Sequence, residues 1–298
     1  LWTARMRSRA NSACGARGPT RTPPARAECG RAVHRLATAV PTCQAGVMCA
    51  RYGIFSATAA VAEAFAARLA PEAMRLKPSG TIAPGADVAV VVRRPESADG
   101  SGTGGPAPSG RRVHAARWGL LPPWARDPAA AFHAFNARCE TAAVKPTFRD
   151  AMRSFRVVVP ASCWYEWRAQ TPSAAQAGGS AKQPYAVRRA DGGGDGLLAL
   201  AGLCSWWRVP GRPGNAPVHH GPALHDSWLL TCTILTRDAG PDLAWLHPRE
   251  PVVLPDDAVG AWLDPDECDG GAAAGLLRLP RPALAWMAVD RSTLTRVA

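Results

Sequence analysis

The chain lacks any apolar run approaching the roughly 18 residues that a membrane-spanning helix needs, so a soluble protein is expected. It has no Cys-x-x-Cys pair and no histidine cluster to complete a zinc pattern, which excludes the usual metal spacings. Its nine cysteines are an odd number, which argues against a secreted disulfide scaffold in a chain of 298 residues. Reduced thiols in a cytosol-like compartment are expected instead. Gly-x-Ser-x-Gly is absent, so a serine-hydrolase elbow is excluded. The glycines between 95 and 110 are not followed by Gly-Lys-Ser/Thr, which excludes a phosphate loop. Lysine is scarce, with only Lys77, Lys145 and Lys182, while Arg, Ala, Gly and Pro abound. That is the coding bias of a GC-rich genome, and it removes most of the force from arginine abundance as such.

The charge that is present is unevenly placed. Residues 1–47 hold eight arginines and one acid, Glu28, and so carry +7 of the net +12, leaving +5 for residues 48–298. A modestly basic body fits nucleic acid but equally fits a solvated surface. The first 47 residues show neither a helical nor a strand period and no apolar signal core. They begin at Leu1 and read as Arg/Ala/Pro/Thr coil. An organelle transit peptide and an over-extended reading frame, with translation starting at Met48, are the two readings, and disorder is expected under both.

From Met48 the texture changes to that of a single domain over 48–298. Ser56 offers a helix N-cap, and Val61, Phe65 and Leu69 form an apolar stripe ending near Pro71. Val88–Val92 reads as a short buried strand. Residues 117–124 form a rigid aromatic turn, and 139–152 a short helix interrupted at Pro146. Further strands are expected at 155–159, 163–167, 185–189, 197–207, 228–235 and 284–289, and a capped helix at 256–263. Insertions rich in Gly and Pro occupy 171–183, 191–196 and 209–222. Strands and helices do not alternate regularly, no repeat is visible, and many strands adjoin turns. An α+β domain with a mainly antiparallel, barrel-like core and flanking helices is expected.

Five segments carry the residues of chemical interest. They are Met48-Cys49-Ala50-Arg51-Tyr52, Arg117-Trp118-Gly119-Leu120 with Pro123-Trp124, Asn136-Ala137-Arg138-Cys139-Glu140-Thr141, the run Val159 to Trp167, and Ile234-Leu235-Thr236 followed by His247 to Leu254. In this order they resemble the SRAP family (SOS-response-associated peptidases, also called abasic-site processing proteins), most clearly over 48–263. The resemblance implies binding of single-stranded DNA containing abasic sites in the DNA damage response, and a covalent crosslink through Cys49. Strand cleavage and self-cleavage are further implied activities. It implies Asn136 as the residue that holds the cysteine and adduct, Glu166 as the group that assists ring opening and proton shuttling, and His247 as the active-site histidine. Thr236 also matches a family site position. Ala50, Cys163, Pro248 and Glu250 stand where the family's segments ordinarily carry Gly, Gly, Asp and Met, and Thr81 where it carries Asn. Glu250 would thereby add a negative charge near a DNA-facing region.

The residues make chemical sense beside that likeness. An opened abasic deoxyribose presents an aldehyde, and a 1,2-aminothiol traps aldehydes as thiazolidines. Only an amino-terminal cysteine carries both groups, and its α-amine, with a reference pKa of about 7.7–8.0, is partly neutral near pH 7. Removal of Met48 would expose it; the plain alternative is a buried, inert Cys49. Glu166, between Tyr165 and Trp167, sits in an apolar setting that raises a carboxyl pKa and suits proton transfer, unless it faces solvent on a strand. His247 can move protons near neutrality, although a lone histidine is often structural. Arg51 and Arg138 are candidate phosphate clamps. Trp118, Trp124, Trp164 and Trp167 are candidates for stacking against bases, with most of the eleven tryptophans expected in the core. No cofactor, metal or membrane is expected, and the protein is taken as a monomer. Its compartment would be the cytoplasm and nucleoid in a bacterium, or the nucleus or an organelle in a eukaryote. Two rival readings remain: a thiol-dependent peptidase that removes its own leader, and a non-catalytic single-stranded-DNA module.

Overall fold

The most apolar segments build a closed barrel. β10 (Leu198–Arg208) is buried at every position except its last, and β7 (Arg156–Ala161) along its whole length. Strands without a polar face are those covered on both sides. Here β10 lies between β7 and β12 (Trp228–Asp238). β7 meets β4 (Asp87–Arg93), which pairs along its length with β5 (Arg111–Trp118). β5 then returns to β12 through the parallel pairs Arg117–Thr231 and Trp118–Cys232. These five strands close on themselves, which removes open edges within the ring. Short strands extend it: β2 (Ala67–Leu69) on β5, β6 (Asn136–Arg138), β11 (Leu224–His225) and β13 (Arg249–Pro251) on β12, and β14 (Val253–Leu254) on β10.

The computed structural model describes residues 50–93, 110–170, 182–191, 196–210, 222–225, 227–267 and 269–295. The leader at 1–47, Met48 and Cys49, the glycine-rich loop at 95–109 and most of the three insertions lie outside them.

A second, antiparallel sheet runs β15 (Leu284–Ala288), β9 (Lys182–Arg189), β8 (Cys163–Ala169), β1 (Tyr52–Ile54), β3 (Ser79–Ile82). Ser162 alone separates β7 from β8, so the chain passes from barrel to sheet in one residue. The two layers share one core that includes Tyr52, Trp118, Trp164 and Trp262. Helices are short and flank this core, so the α+β class holds.

Three local expectations change. The first helix, α1 (Thr58–Ala64), starts from Ala57 without a side-chain cap, so Ser56 is not its N-cap. It does not reach Leu69: Ala66 adopts φ +47°, and 67–69 pair with β5 as β2. Strand pairing with the barrel there outweighs the helical stripe. The 139–152 helix is broken around Pro146 as expected, into α2 (Cys139–Ala142) and α3 (Arg149–Ser154). In α4 (Ala258–Trp262) the N-cap residue Asp257 makes no side-chain cap bond, and Asp256 instead receives Arg189 at 2.7 and 3.1 Å.

One buried cation secures the helix ends. Arg156, 7% exposed, donates to the carbonyls of Met152, Arg153, Trp262, Asp264 and Glu267 at 2.6–3.0 Å. These oxygens lie at or just beyond the C-termini of α3 and α4, where helical carbonyls lack internal partners. Arg156→Met removes all five donors at once. A loss of about 3 kcal/mol or more is expected, measured as a lower urea midpoint at unchanged slope.

Candidate active site

The site grows from the junction of β1 with β8. Tyr52 pairs with Trp164 and Gly53 with Cys163. The Tyr165 N–H donates to the Arg51 carbonyl at 3.0 Å. Ala50, the first described residue, is the next step along this antiparallel register, toward Glu166. Alternation sorts the side chains of β8. Cys163 and Tyr165 pack with Ala186 and Leu294 in a small separate cluster, with Trp167 against it. Trp164 and Glu166 face the other way, toward the main core, and Glu166 is 4% exposed.

Glu166 is paired across the strands with Tyr185, so the two side chains share a face. Tyr185 meets the indole of Trp245 edge-on, with ring centroids 5.2 Å apart. Trp245 belongs to the turn that delivers His247. The structure thus links Glu166 to the histidine segment through two aromatic rings, neither of which was singled out in the sequence.

Asn136 and Arg138 arrive on β6, parallel to β12, with Asn136 opposite Ile234 and Arg138 opposite Thr236. Trp118 holds β6 to β1. Its Nε1–H donates to the Phe135 carbonyl at 2.8 Å, and its ring meets Tyr52 and Phe135 at centroid distances of 5.3 and 6.1 Å. Gly119 follows at φ +133°, where a Cβ would lie 2.9 Å from the Ala131 carbonyl oxygen, so glycine is required.

His247 is half-buried, and its Nδ1 sits against the Arg249 backbone, 3.1 Å from the N–H and 3.2 Å from the carbonyl oxygen. Arg249 is itself clamped. Glu140 takes its guanidinium at 2.6 and 2.9 Å, Asp238 at 2.5 Å and the Thr236 carbonyl at 2.8 Å. Thr236 is buried, and its hydroxyl donates to the Ala137 carbonyl at 3.3 Å. Glu140, Arg249 and Thr236 therefore fix the His247 turn against β6. Arg249 and Glu140 lay within the segments quoted above, but only the fold reveals that they grip each other across 109 residues of chain.

Burial pushes the His247 pKa below its ordinary 6.5, against a raising hydrogen bond to the Arg249 backbone carbonyl, and the charges of Arg249 and Lys182 push it down as well. The folded state therefore binds fewer protons at this site than the unfolded chain does. Its stability contribution is complete above pH 6.5 and is lost as pH falls from there through the depressed folded value. His247→Gln is accordingly expected to lose less stability than the wild type between about pH 7.5 and about pH 5, judged from urea midpoints. Equal losses would show that the ring carries no such linkage.

The other candidates are distributed unevenly. Arg51 is half-buried and donates to the Thr81 hydroxyl at 3.3 Å; Arg138 is exposed. Trp124 is 58% exposed, whereas Trp118 and Trp164 are 1% exposed. The last two are corrected from base-stacking candidates to core residues that build the site from behind. Trp167 is half-buried on the face of β8 opposite to Glu166, so it is not brought together with the site. Glu250 is corrected too. It is 2% exposed and paired with Arg237 and Arg281, each at 3.0 Å, so it presents no charge to a DNA surface. Neither Ala50 nor Cys163 needs the positive φ of a glycine: among the described residues only Ala66 combines a side chain with positive φ.

The thiols among the described residues, Cys139, Cys163, Cys204 and Cys232, are free. Burial pushes each of their pKa values upward, Cys139 to about 11 with help from Glu140. None is a ready thiolate nucleophile. No group of three or more His, Cys, Asp or Glu residues among the described residues is placed to hold a metal ion, and no described helix is long and apolar enough to cross a membrane.

Fold and site define a barrel-and-sheet protein whose first described strand runs up to a buried carboxylate, with an anchored histidine turn alongside. Residues 48–294 match the model of the family described as SOS response associated peptidase (SRAP), and the chain belongs to that family. It is 31% identical to the abasic site processing protein YoqW of Bacillus subtilis (strain 168) over 232 residues, 78% of this chain and 87% of that protein. It is 31% identical to the abasic site processing protein HMCES of Xenopus tropicalis over 178 residues, 53% of this chain and 47% of that one. A crystal structure of a Bordetella bronchiseptica protein superposes with TM-score 0.57 at 27% identity, covering 81% of this chain and all of that one. A Bacteroides thetaiotaomicron protein shares the fold, with TM-score 0.61 at 19% identity over 84% of this chain and all of that one.

Proposed function

We propose that this protein processes abasic sites in single-stranded DNA by forming a covalent adduct through Cys49, acting as the amino-terminal residue of a mature chain 49–298. The observation that carries the reading is the register of β1 on β8, which runs Ala50, the residue bonded to Cys49, toward the buried Glu166. The names of the relatives, abasic site processing proteins, agree with it.

The free α-amine adds to the aldehyde of the opened sugar and expels water, giving an imine. The thiol then adds to the imine carbon, its proton passes to the nitrogen, and a thiazolidine closes. Glu166 serves as the proton carrier for ring opening and dehydration. His247, its pKa held below the ordinary value by burial, serves the same traffic. Asn136 holds the cysteine, and Arg51 and Arg138 take flanking phosphates, the first steadied by Thr81. Trp124 is the one tryptophan of the original candidates with the exposure to meet a base. Thr236 supports the histidine turn rather than the strand.

The test combines two measurements. Intact mass should show a mature protein starting at Cys49. That protein, incubated with an abasic single strand, should give a heat-stable shifted band on a denaturing gel, and duplex DNA should react poorly. A chain with residues 1–48 attached should give no band unless it first cleaves itself, in which case the peptidase activity in the family's description is the route to the same terminus. A crosslink formed equally well with the leader still attached would refute the terminal-aminothiol reading.

A further inference from the structure

An aromatic surface beside the His247 turn has no part in the mechanism above. Trp245 and Trp286 lie with centroids 5.9 Å apart, tilted by 57°. Tyr185 meets Trp245 edge-on at 5.2 Å, and the Arg168 guanidinium sits 4.8 Å over the Trp245 ring. Four segments contribute: β15 supplies Trp286, β9 Tyr185, β8 Arg168, and the turn two residues before His247 supplies Trp245.

The orientation of this cluster follows from strand pairing. Trp286 pairs with Val187, and Val187 with Trp164. Directly opposed residues share a face, so Trp286 stands on the face of the sheet that carries Trp164 and Glu166, not the one covered by Leu294. It is nevertheless 42% exposed, because β15 is the edge strand of its sheet. An indole at this position that served only the core would be covered. Here the ring is left open to solvent on the reaction face, backed by a second indole and flanked by a cation.

We propose that Trp286, backed by Trp245 and Arg168, is a stacking seat for an unpaired nucleobase that flanks the abasic site. The proposal rests on the single-strand reading given above and adds a second contact to it, separate from Trp124. Indole stacking suits a single strand because every base has a π-face, and an adjacent guanidinium favours a phosphate-bearing partner. A cationic ligand is disfavoured, since Arg168 already covers the Trp245 ring.

The test uses the Cys49-start protein and single strands carrying a tetrahydrofuran abasic analogue. This cannot open to an aldehyde, so binding is read without crosslinking. 2-Aminopurine is placed at successive positions on both sides of the analogue. One position should be strongly quenched on binding. Trp286→Ala should restore its fluorescence and weaken affinity about tenfold, while Trp286→Phe keeps most of both. Trp286 is partly exposed, so melting of the alanine variant near the wild-type temperature should accompany the loss. Quenching and affinity unchanged in Trp286→Ala would overturn the seat alone. A wild-type protein that fails to bind the strand would overturn the single-strand reading together with it.

Discussion

Cys49→Ala is expected to lose the heat-stable DNA adduct altogether, and Cys49→Ser to lose it nearly as completely. The alanine variant keeps its α-amine, which with a reference pKa of about 7.7–8.0 still condenses with an aldehyde near neutral pH. What it lacks is the second nucleophile. An imine without ring closure returns to amine and aldehyde in hot water, so the band vanishes on a denaturing gel. Serine supplies a hydroxyl on the same carbon, but as a far weaker nucleophile than a thiol. Borohydride separates chemistry from folding: it reduces the imine of Cys49→Ala to a stable amine and should rescue a band for that variant. The described cysteines, Cys139, Cys163, Cys204 and Cys232, offer no ready detour, because burial pushes each of their pKa values upward. A heat-stable adduct from Cys49→Ala without borohydride would end the proposal.

Glu166→Gln is expected to slow adduct formation by about 10²–10³-fold while leaving the fold intact. The carboxamide keeps the shape and an acceptor oxygen at a position 4% exposed, but it cannot take up and return a proton. Sugar-ring opening and imine dehydration both need a proton moved at the right moment, and water reaches a site beneath β8 only poorly. The measurement is a single-turnover rate on an abasic single strand, followed across pH. A rate within about threefold of wild type would reassign Glu166 to a structural part.

Much of the candidate site could be proposed from the sequence because its chemistry depends on residue type and local order. Cys49 beside Met48, Glu166 amid aromatics and His247 before a proline could all be named without coordinates, and the apolar runs of β4, β7, β10 and β12 marked the barrel walls. Closure of the barrel was not visible, since Trp118 pairs with Cys232 across more than a hundred residues. β5 was hidden by its own composition: Arg111, Arg112, His114 and Arg117 interrupt the apolar pattern, though Val113, Ala115, Ala116 and Trp118 are buried. The tryptophans misled for a related reason. An indole suits a base and a core equally, and only strand register decides which face it takes. Glu250 looked like a surface charge because its partner Arg281 is 31 residues away.

The position of β1 has a mechanical consequence. This strand lies between β3 and β8, bonded on both sides. A motor that runs into a DNA strand tethered at residue 49 would drag β1 along its own axis. Its bonds to both neighbours would then have to slide together instead of unzipping in turn, so the proposed adduct would load the sheet in the orientation where it best resists force.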